Sequence, residues 1–336
     1  AISAAEDAAA EAQESLAAVA SSASAAATAR TGAETARDEA QALVLSDLGT
    51  TDGQTRALIE NPVSQVAVAL SSAYAGKESL PVNLLDYAAA DGTNQTANVQ
   101  AAVDATPVGG TLEVPAGMQF RVDGQVNIAK AMTVTSPGRG GFYSQSGAAQ
   151  KLLNVTASKV SLRGLQIVGP QFATAVTQHG IFASGASGAH ITAVEVIDCE
   201  VRLWAYHGMW LAYIDGVTVE RNSVSDMGYA GIGFLSCRGG SVSGNQIRHV
   251  IEATGYEDSY GMHFSRAADS DDLTAHPRSS DIVISNNYVA DVPSHAGIDT
   301  HAGQNLAIIG NTVVGCRLPI SVVGTKGPGG TLLYGP

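Results

Sequence analysis

A triplet that returns once per coil constrains this chain more than any other feature. Cys199-Glu200-Val201, Asn222-Ser223-Val224, Asn245-Gln246-Ile247, Asn287-Tyr288-Val289 and Asn311-Thr312-Val313 follow one another at steps of 23, 23, 42 and 24 residues. Self-similarity at such a period marks a repeat architecture, in which each unit buries its apolar side only against its neighbours. A second step recurs in phase with the first: Gly180-Ile181, Gly208-Met209, Gly231-Ile232, Gly261-Met262, Gly297-Ile298 and Pro319-Ile320. A third segment, alternating apolar and polar residues, precedes each triplet, as in AHITAVEVID, IDGVTVERN, GGSVSGN, SDIVISNN and NLAIIGN. Three short strands per repeat predict a mainly β, triangular parallel solenoid, with an insertion in the 42-residue step. A propeller would need four strands in roughly 40 residues. The recurring Asn sits at a turn, where its amide is expected to bond its counterparts above and below as a ladder.

Composition agrees, with 37 glycines and 5% aromatic residues pointing to many short strands and tight turns. A net charge of −13 disfavours nucleic acid, whose phosphates need a Lys/Arg surface. No apolar run is long enough for a membrane-spanning helix, and no signal-peptide pattern opens the chain. Cys199, Cys237 and Cys316 are too scattered for a disulfide framework or a metal site and are expected to pack as small hydrophobes. No cofactor is expected. With Ala1 at its head and a Gly-rich run near its end, the chain is expected to be a segment of a longer polypeptide.

Residues 1–46 are rich in Ala, Ser, Glu and Gln. Ile2, Ala5, Ala9, Ala12, Leu16, Val19 and their successors to Val44 alternate at spacings of three and four, the seam of an α-helical coiled coil. An alanine seam buries little area per layer, so the stalk is expected to rely on a better-packed neighbour to hold its partner chains. Residues 47–80 contain GTTDG and Pro62 and read as a neck, with the solenoid body over 81–336.

The body opens on VNLLDYAAADGTNQTANVQAAVDATPVGGTLEVPAG (82–117). This string resembles the start of the pectate-lyase-like family found in many phage tail spikes: a short strand, an acidic Gly-containing loop, a helix, a Gly-Gly turn and a strand ending in Pro-x-Gly. The resemblance implies a right-handed parallel β-helix whose helix, near Thr96 to Ala105, turns Val99, Ala102 and Val103 onto the open first coil. It also implies a phage tail spike or fibre in the extracellular part of a virion tail. Its implied partners are two further copies in a homotrimer, other tail or baseplate proteins at the N-terminal region, and a host cell-surface glycan. The seam alone would equally suit a dimer.

Aligning the Gly-Ile/Met steps predicts an outward column Phe182, Trp210, Gly233, His263, Asp299, Ser321, and a second, two residues on, of Ser184, Ala212, Leu235, Ser265, His301, Val323. His263, Asp299 and His301 thereby become neighbours on adjacent coils, and the insertion after Val250 brings Glu252, Glu257, Asp258 and Tyr260 to the same edge. A His beside a carboxylate suits general acid/base chemistry or, with a second His, a small metal site; the plainer alternative is a solvated strand face. Gly297-Ile298-Asp299-Thr300-His301 is similar to the Tyr-Gly-x-Asp-Pro-His motif of the alginate epimerases and related β-helix lyases, which implies that Asp299 and His301 act at a sugar C5 proton. Ala296 and Thr300 depart from that motif, although Tyr260 stands before Gly261 one coil earlier. The polygalacturonase-like motifs are missing, and only Glu257, Asp258 and Asp299 offer carboxylates close enough for glycoside hydrolysis. Trp204, Tyr206, Trp210, Tyr213 and Tyr229 fall within two coils, where exposed rings would stack on sugars. Asp269, Asp271 and Asp272 lack the ligand pattern of a Ca²⁺ loop and read as solvated acids.

The expectation is therefore an adhesion component that binds surface polysaccharide, with catalytic candidates Asp299, His301 and His263 and binding candidates Trp210, Tyr213, Tyr229, Tyr260 and Asp258. The alternative is a depolymerase, lyase, epimerase or glycosidase, on the same solenoid. A secreted pectinolytic enzyme explains neither the stalk nor the missing signal sequence.

Overall fold

The computed structural model describes residues 80–336 except 172–175, 257, 269–271, 327–331 and 335–336. The expected stalk over 1–46, and the neck up to its last residue Leu80, lie outside the described residues. So do Glu257, Asp269 and Asp271.

Strands of successive coils stack in parallel columns. One sheet holds the first strand of each coil, such as Ile191–Ile197, Ile214–Glu220, Arg238–Ser243 and Ser279–Ser285. A second sheet holds the other two columns, Glu200–Trp204, Ser223–Met227 and Gln246–Val250 in one, and Gln178–Ser184, His207–Ala212, Ala230–Leu235 and Tyr260–Ser265 in the other. The long strand Tyr288–Asp299 turns the corner and pairs with both. The antiparallel pair Thr325–Lys326 with Leu332–Tyr334 stands apart.

The repeat alignment is reproduced in the register. Val201, Val224, Ile247, Val289 and Val313 pair in sequence, as do Ile181, Met209, Ile232, Met262, Ile298 and Ile320. All but Val313 and Ile320, on the last of these coils, are sealed in one core. Because an identical position recurs in each coil, like packs on like: Phe234 and Phe264 stack at 4.7 Å with their planes 2° apart. The 42-residue step splits into two loops, 251–259 and 266–278, flanking the in-register strand Tyr260–Ser265.

Each corner before the recurring triplet, opened by Cys199 or by an Asn, needs one residue in the left-handed region. Asp198, Arg221, Gly244, Asn286 and Gly310 supply it, with φ from 54° to 64°. The Asn that follows forms the ladder. Asn245 Nδ2 donates to the Val219 carbonyl and to Asn287 Oδ1 at 2.9 Å each, while Asn245 Oδ1 accepts from the backbone N–H and Nδ2 of Asn222. Asn287 repeats this with Asn311, and Cys199 closes the row by donating its N–H to Asn222. Asn245 is fully buried, so Asn245→Ala strands several polar groups without water. Equilibrium urea unfolding of Asn245→Ala is expected to show a loss of about 3 kcal/mol; a loss below about 1 kcal/mol, the range of ordinary surface changes, would make the ladder dispensable.

Helix Thr96–Ala105 buries Val99, Ala102 and Val103 against the first coils. It is tied there by Gln100, whose Oε1 accepts from the Asn127 N–H at 2.7 Å, and by Thr96, whose hydroxyl accepts from the Gly124 N–H. Cys199 and Cys237 are buried free thiols pushed up to about 12 by burial, while Cys316 is partly exposed. No helix of the described residues is long and apolar enough to cross a membrane.

Candidate functional site

The third column of strands carries the chemistry. Its outer face pairs Phe182, Trp210, Gly233, His263, Asp299 and Ser321 in that order. Asp299 and His301 are joined by a hydrogen bond from the ring Nδ1 to the Asp299 carboxylate, and the His301 N–H donates to the same Oδ2 at 3.2 Å. His301 Nε2 lies 2.9 Å from Ser265 Oγ on the preceding coil. The rings of His263 and His301 stack 6.5 Å apart and 7° from parallel.

A second outward position, one residue before each Gly, holds His179, His207, Ala230, Tyr260 and Ala296, of which the sequence points only to Tyr260 and Ala296. It completes a row of histidines along the solenoid. His179 stacks on His207 at 5.4 Å, and His207 Nε2 meets His263 Nε2 at 3.1 Å across the coil of Gly233. Gly233 is required there, because a Cβ would lie 2.5 Å from His263 Nε2 and 3.1 Å from His207 Cδ2. Reading the residue before each Gly as well as the one after Ile/Met would have exposed His179 and His207.

Several placements correct the sequence expectations. His263 and Asp299 point away from the core but are not solvated: they are 5% and 1% exposed, His263 beneath the rings of His207, Tyr260 and His301 and Asp299 against His301. Trp204 lies inside the core with Nε1 donating to the Ile167 carbonyl. Tyr213 sits at a left-handed corner beside His190 and is hydrogen-bonded to His276, apart from the other tyrosines. Trp210 stands three strands from Asp299, about 14 Å at the usual strand spacing.

The aromatic residues that do assemble surround the histidines. Tyr229 stacks on Tyr206 at 4.8 Å, lies 5.2 Å from Tyr256 and meets Tyr260 edge-on at 5.6 Å. Trp210 stacks on Phe182 and meets His207 edge-on at 4.8 Å. Lys151 Nζ sits 3.4 Å over the Phe182 ring. Tyr260 pairs with Ala296 across the strands, its ring 5.0 Å from His295, whose Nε2 is 4.0 Å from Asp258. Glu252 is exposed on its loop. Neither Tyr256 nor His295 is legible from the repeat: Tyr256 lies in an irregular insertion with no period to align, and His295 lies at the corner of the strand Tyr288–Asp299, where the register shifts between Val292 and Ala296.

Burial sets the charge state of the row. It drives His179 and His263 down to about 3, helped by the charges of Lys151 and His301 respectively, and holds His207 well below the usual imidazole range. These rings are neutral at physiological pH. Burial opposes the charge on Asp299, but the His301 hydrogen bond and charge and the Ser321 hydroxyl outweigh it and keep the carboxyl ionised. Burial pushes Tyr229 up to about 12 and Tyr260 up as well. Chemically the face offers one buried carboxylate, one oriented imidazole and neutral hydroxyl and ring donors.

No cluster of three or more His, Cys, Asp or Glu able to hold a metal occurs among the described residues. A shallow cavity of about 350 Å³ lies at another corner, lined by Arg139, Arg163 and Asp198 among others. Both arginines are already paired with carboxylates.

Among curated proteins none matches this sequence. Two solved structures share the fold at a TM-score of 0.55 each. One is the catalytic unit of a thermostable GH87 α-1,3-glucanase from Streptomyces thermodiastaticus, 19% identical over 71% of this chain and 41% of the glucanase. The other is the pre-mature bacteriophage phi29 gene product 12, 14% identical over 78% of this chain and 38% of that protein. The chain thus spans less than half the length of either. The model of the right-handed β-helix region matches residues 154–332, more than half of the chain and the same coils that carry the Asn ladder and the histidine row, so the protein belongs to the right-handed β-helix family.

Proposed function

We propose that this protein is a phage tail spike or fibre component that binds host cell-surface polysaccharide along the third strand column. The observation that carries the reading is the run of partly exposed rings from Phe182 and Trp210 through Tyr206 and Tyr229 to Tyr256, laid over the buried histidine row. Rings along a rigid face suit the apolar faces of successive sugars, and the partly exposed Tyr206, Tyr229, Tyr256, His301 and Asp258 side chains suit their hydroxyls. Family membership, the tail-spike-like opening at 82–117 and the two β-helices of similar fold, one from a glucanase and one from a bacteriophage, support it. In this reading residues 1–46 form the stalk of a parallel homotrimer, 47–80 the neck and 81–336 the glycan-facing body. The N-terminal region meets other tail or baseplate proteins.

The test is retention on a panel of immobilised bacterial surface polysaccharides by the full chain. Wild type should hold at least one of them, and Tyr229→Ala, which removes a ring stacked on Tyr206 and touching Tyr256, Tyr260 and His207, should weaken retention about three- to tenfold, the worth of one aromatic contact. No retention of any polysaccharide by folded wild-type protein would sink the adhesion reading.

A second reading is favoured by one specific contact, the Asp299–His301 pair with Tyr260 paired against Ala296, where the epimerase-like motif has its tyrosine. In that reading the protein cleaves or epimerises the glycan it holds. Release of oligosaccharides or unsaturated sugars, or an inverted sugar C5 seen by NMR, with wild type and its loss in Asp299→Ala would establish it; polysaccharide of unchanged length and C5 configuration with both proteins would leave adhesion alone.

A further inference from the structure

The contacts of His301 reach a group that neither reading uses. Ser265 Oγ lies 2.9 Å from His301 Nε2, and the opposite ring nitrogen, Nδ1, is bonded to the Asp299 carboxylate. A carboxylate that accepts from Nδ1–H leaves Nε2 as the acceptor for a hydroxyl proton, which is the relation of acid, base and nucleophile in a serine triad. Burial separates the three groups: the Asp299 side chain is 1% exposed, whereas that of His301 is 36% exposed and Ser265, at the end of its strand, is half-buried. The backbone on both sides is tied down, since the Ala302 N–H donates to the Phe264 carbonyl and Ser279 Oγ donates to the Ser265 carbonyl.

We propose that Ser265, His301 and Asp299 form a nucleophilic triad that hydrolyses O-acyl esters carried by a saccharide. The saccharide part rests on the glycan-binding reading above; the ester chemistry does not. Ser265 Oγ attacks the ester carbonyl carbon while His301 Nε2 takes the hydroxyl proton. The tetrahedral adduct collapses by breaking the bond to the sugar oxygen, which leaves as the hydroxyl after receiving that proton from His301. Water, deprotonated by His301, then attacks the acyl-Ser265 carbonyl. The acid departs and the proton returns to Ser265 Oγ. No oxidant, reductant or metal enters. Asp299 is a positioning residue that fixes the His301 tautomer and stabilises its transient positive charge. Arg266 directly follows Ser265, and Arg278 donates to the Gly303 carbonyl two residues beyond His301.

The experiment uses the full chain with two small probes that require no glycan recognition. A fluorophosphonate should label wild type at Ser265, located by peptide mass spectrometry, and p-nitrophenyl acetate should be hydrolysed. Ser265→Ala, which differs by one oxygen and should fold as wild type by circular dichroism, should abolish labelling and lower kcat/KM at least about 100-fold. Asp299→Asn should lower kcat with KM little changed, a split that a merely structural role would not produce. Absence of labelling at Ser265 in folded wild type, or equal ester hydrolysis by wild type and Ser265→Ala, would overturn the triad. Polysaccharide retention with an inert Ser265 would overturn it while leaving the glycan reading intact; ester hydrolysis without retention of any polysaccharide would support the triad and remove its saccharide substrate.

Discussion

Ile232→Asp should unfold at a far lower urea concentration than wild type, with a loss of about 4 kcal/mol or more. Ile232 is fully buried between Met209 and Met262 in a stack that continues through Ile298, so a carboxylate there has no partner and no water. Ile247→Asp and Ile298→Asp place the same charge in the same core and should behave alike. Ser223→Asp is the control: Ser223 is exposed on the outer side of the neighbouring column, and its change should stay within about 0.5 kcal/mol. The comparison tests register directly, because a slip by one residue in a strand exchanges inside for outside. Equal losses at Ile232 and Ser223 in matched urea titrations would mean that the strands are assigned to the wrong face.

Acid should weaken the fold well before most carboxylates titrate. His179 and His263 have folded pKa values of about 3, against about 6.5 for an unfolded histidine. Between these values the unfolded chain binds protons that the folded chain refuses, so the stability present above pH 6.5 is lost progressively as pH falls towards 3. At pH 4.5 each of the two contributes a loss on the order of 2 to 3 kcal/mol, and His207, also held well below its usual range, adds in the same direction. Urea midpoints measured at pH 7.5, 6.5, 5.5 and 4.5 should therefore decline steeply over the last two steps. His263→Gln, which keeps a neutral polar side chain and cannot titrate, should show a shallower decline. A midpoint unchanged between pH 6.5 and 4.5 would show that these rings are hydrated or already charged.

Much of the solenoid could be read from spacing because a β-helix writes its coil into the chain. The steps of 23, 23 and 24 residues became the strand register without adjustment, and the left-handed residue before each Asn explains why the corner recurs at one place. The outward order Phe182, Trp210, Gly233, His263, Asp299 and Ser321 followed from the same alignment. Spacing says nothing about how deeply an outward side chain is covered, so it left a solvated face and a functional patch both open for Asp299 and His263, which are in fact 1% and 5% exposed.

What the residues determine alone is the repeat, since periodic apolar positions leave one economical way to bury themselves, coil upon coil. The tertiary structure decided the site. Ser265 and His301 are 36 residues apart and meet only because loops 251–259 and 266–278 leave the register undisturbed. His207 reaches His263 only because the intervening coil has glycine at 233. Burial then lowers the histidines, while hydrogen bonds from His301 and Ser321 hold Asp299 charged against the same desolvation. Both depend on distances between coils, and a linear sequence carries the order of its residues but not the depth at which they come to rest.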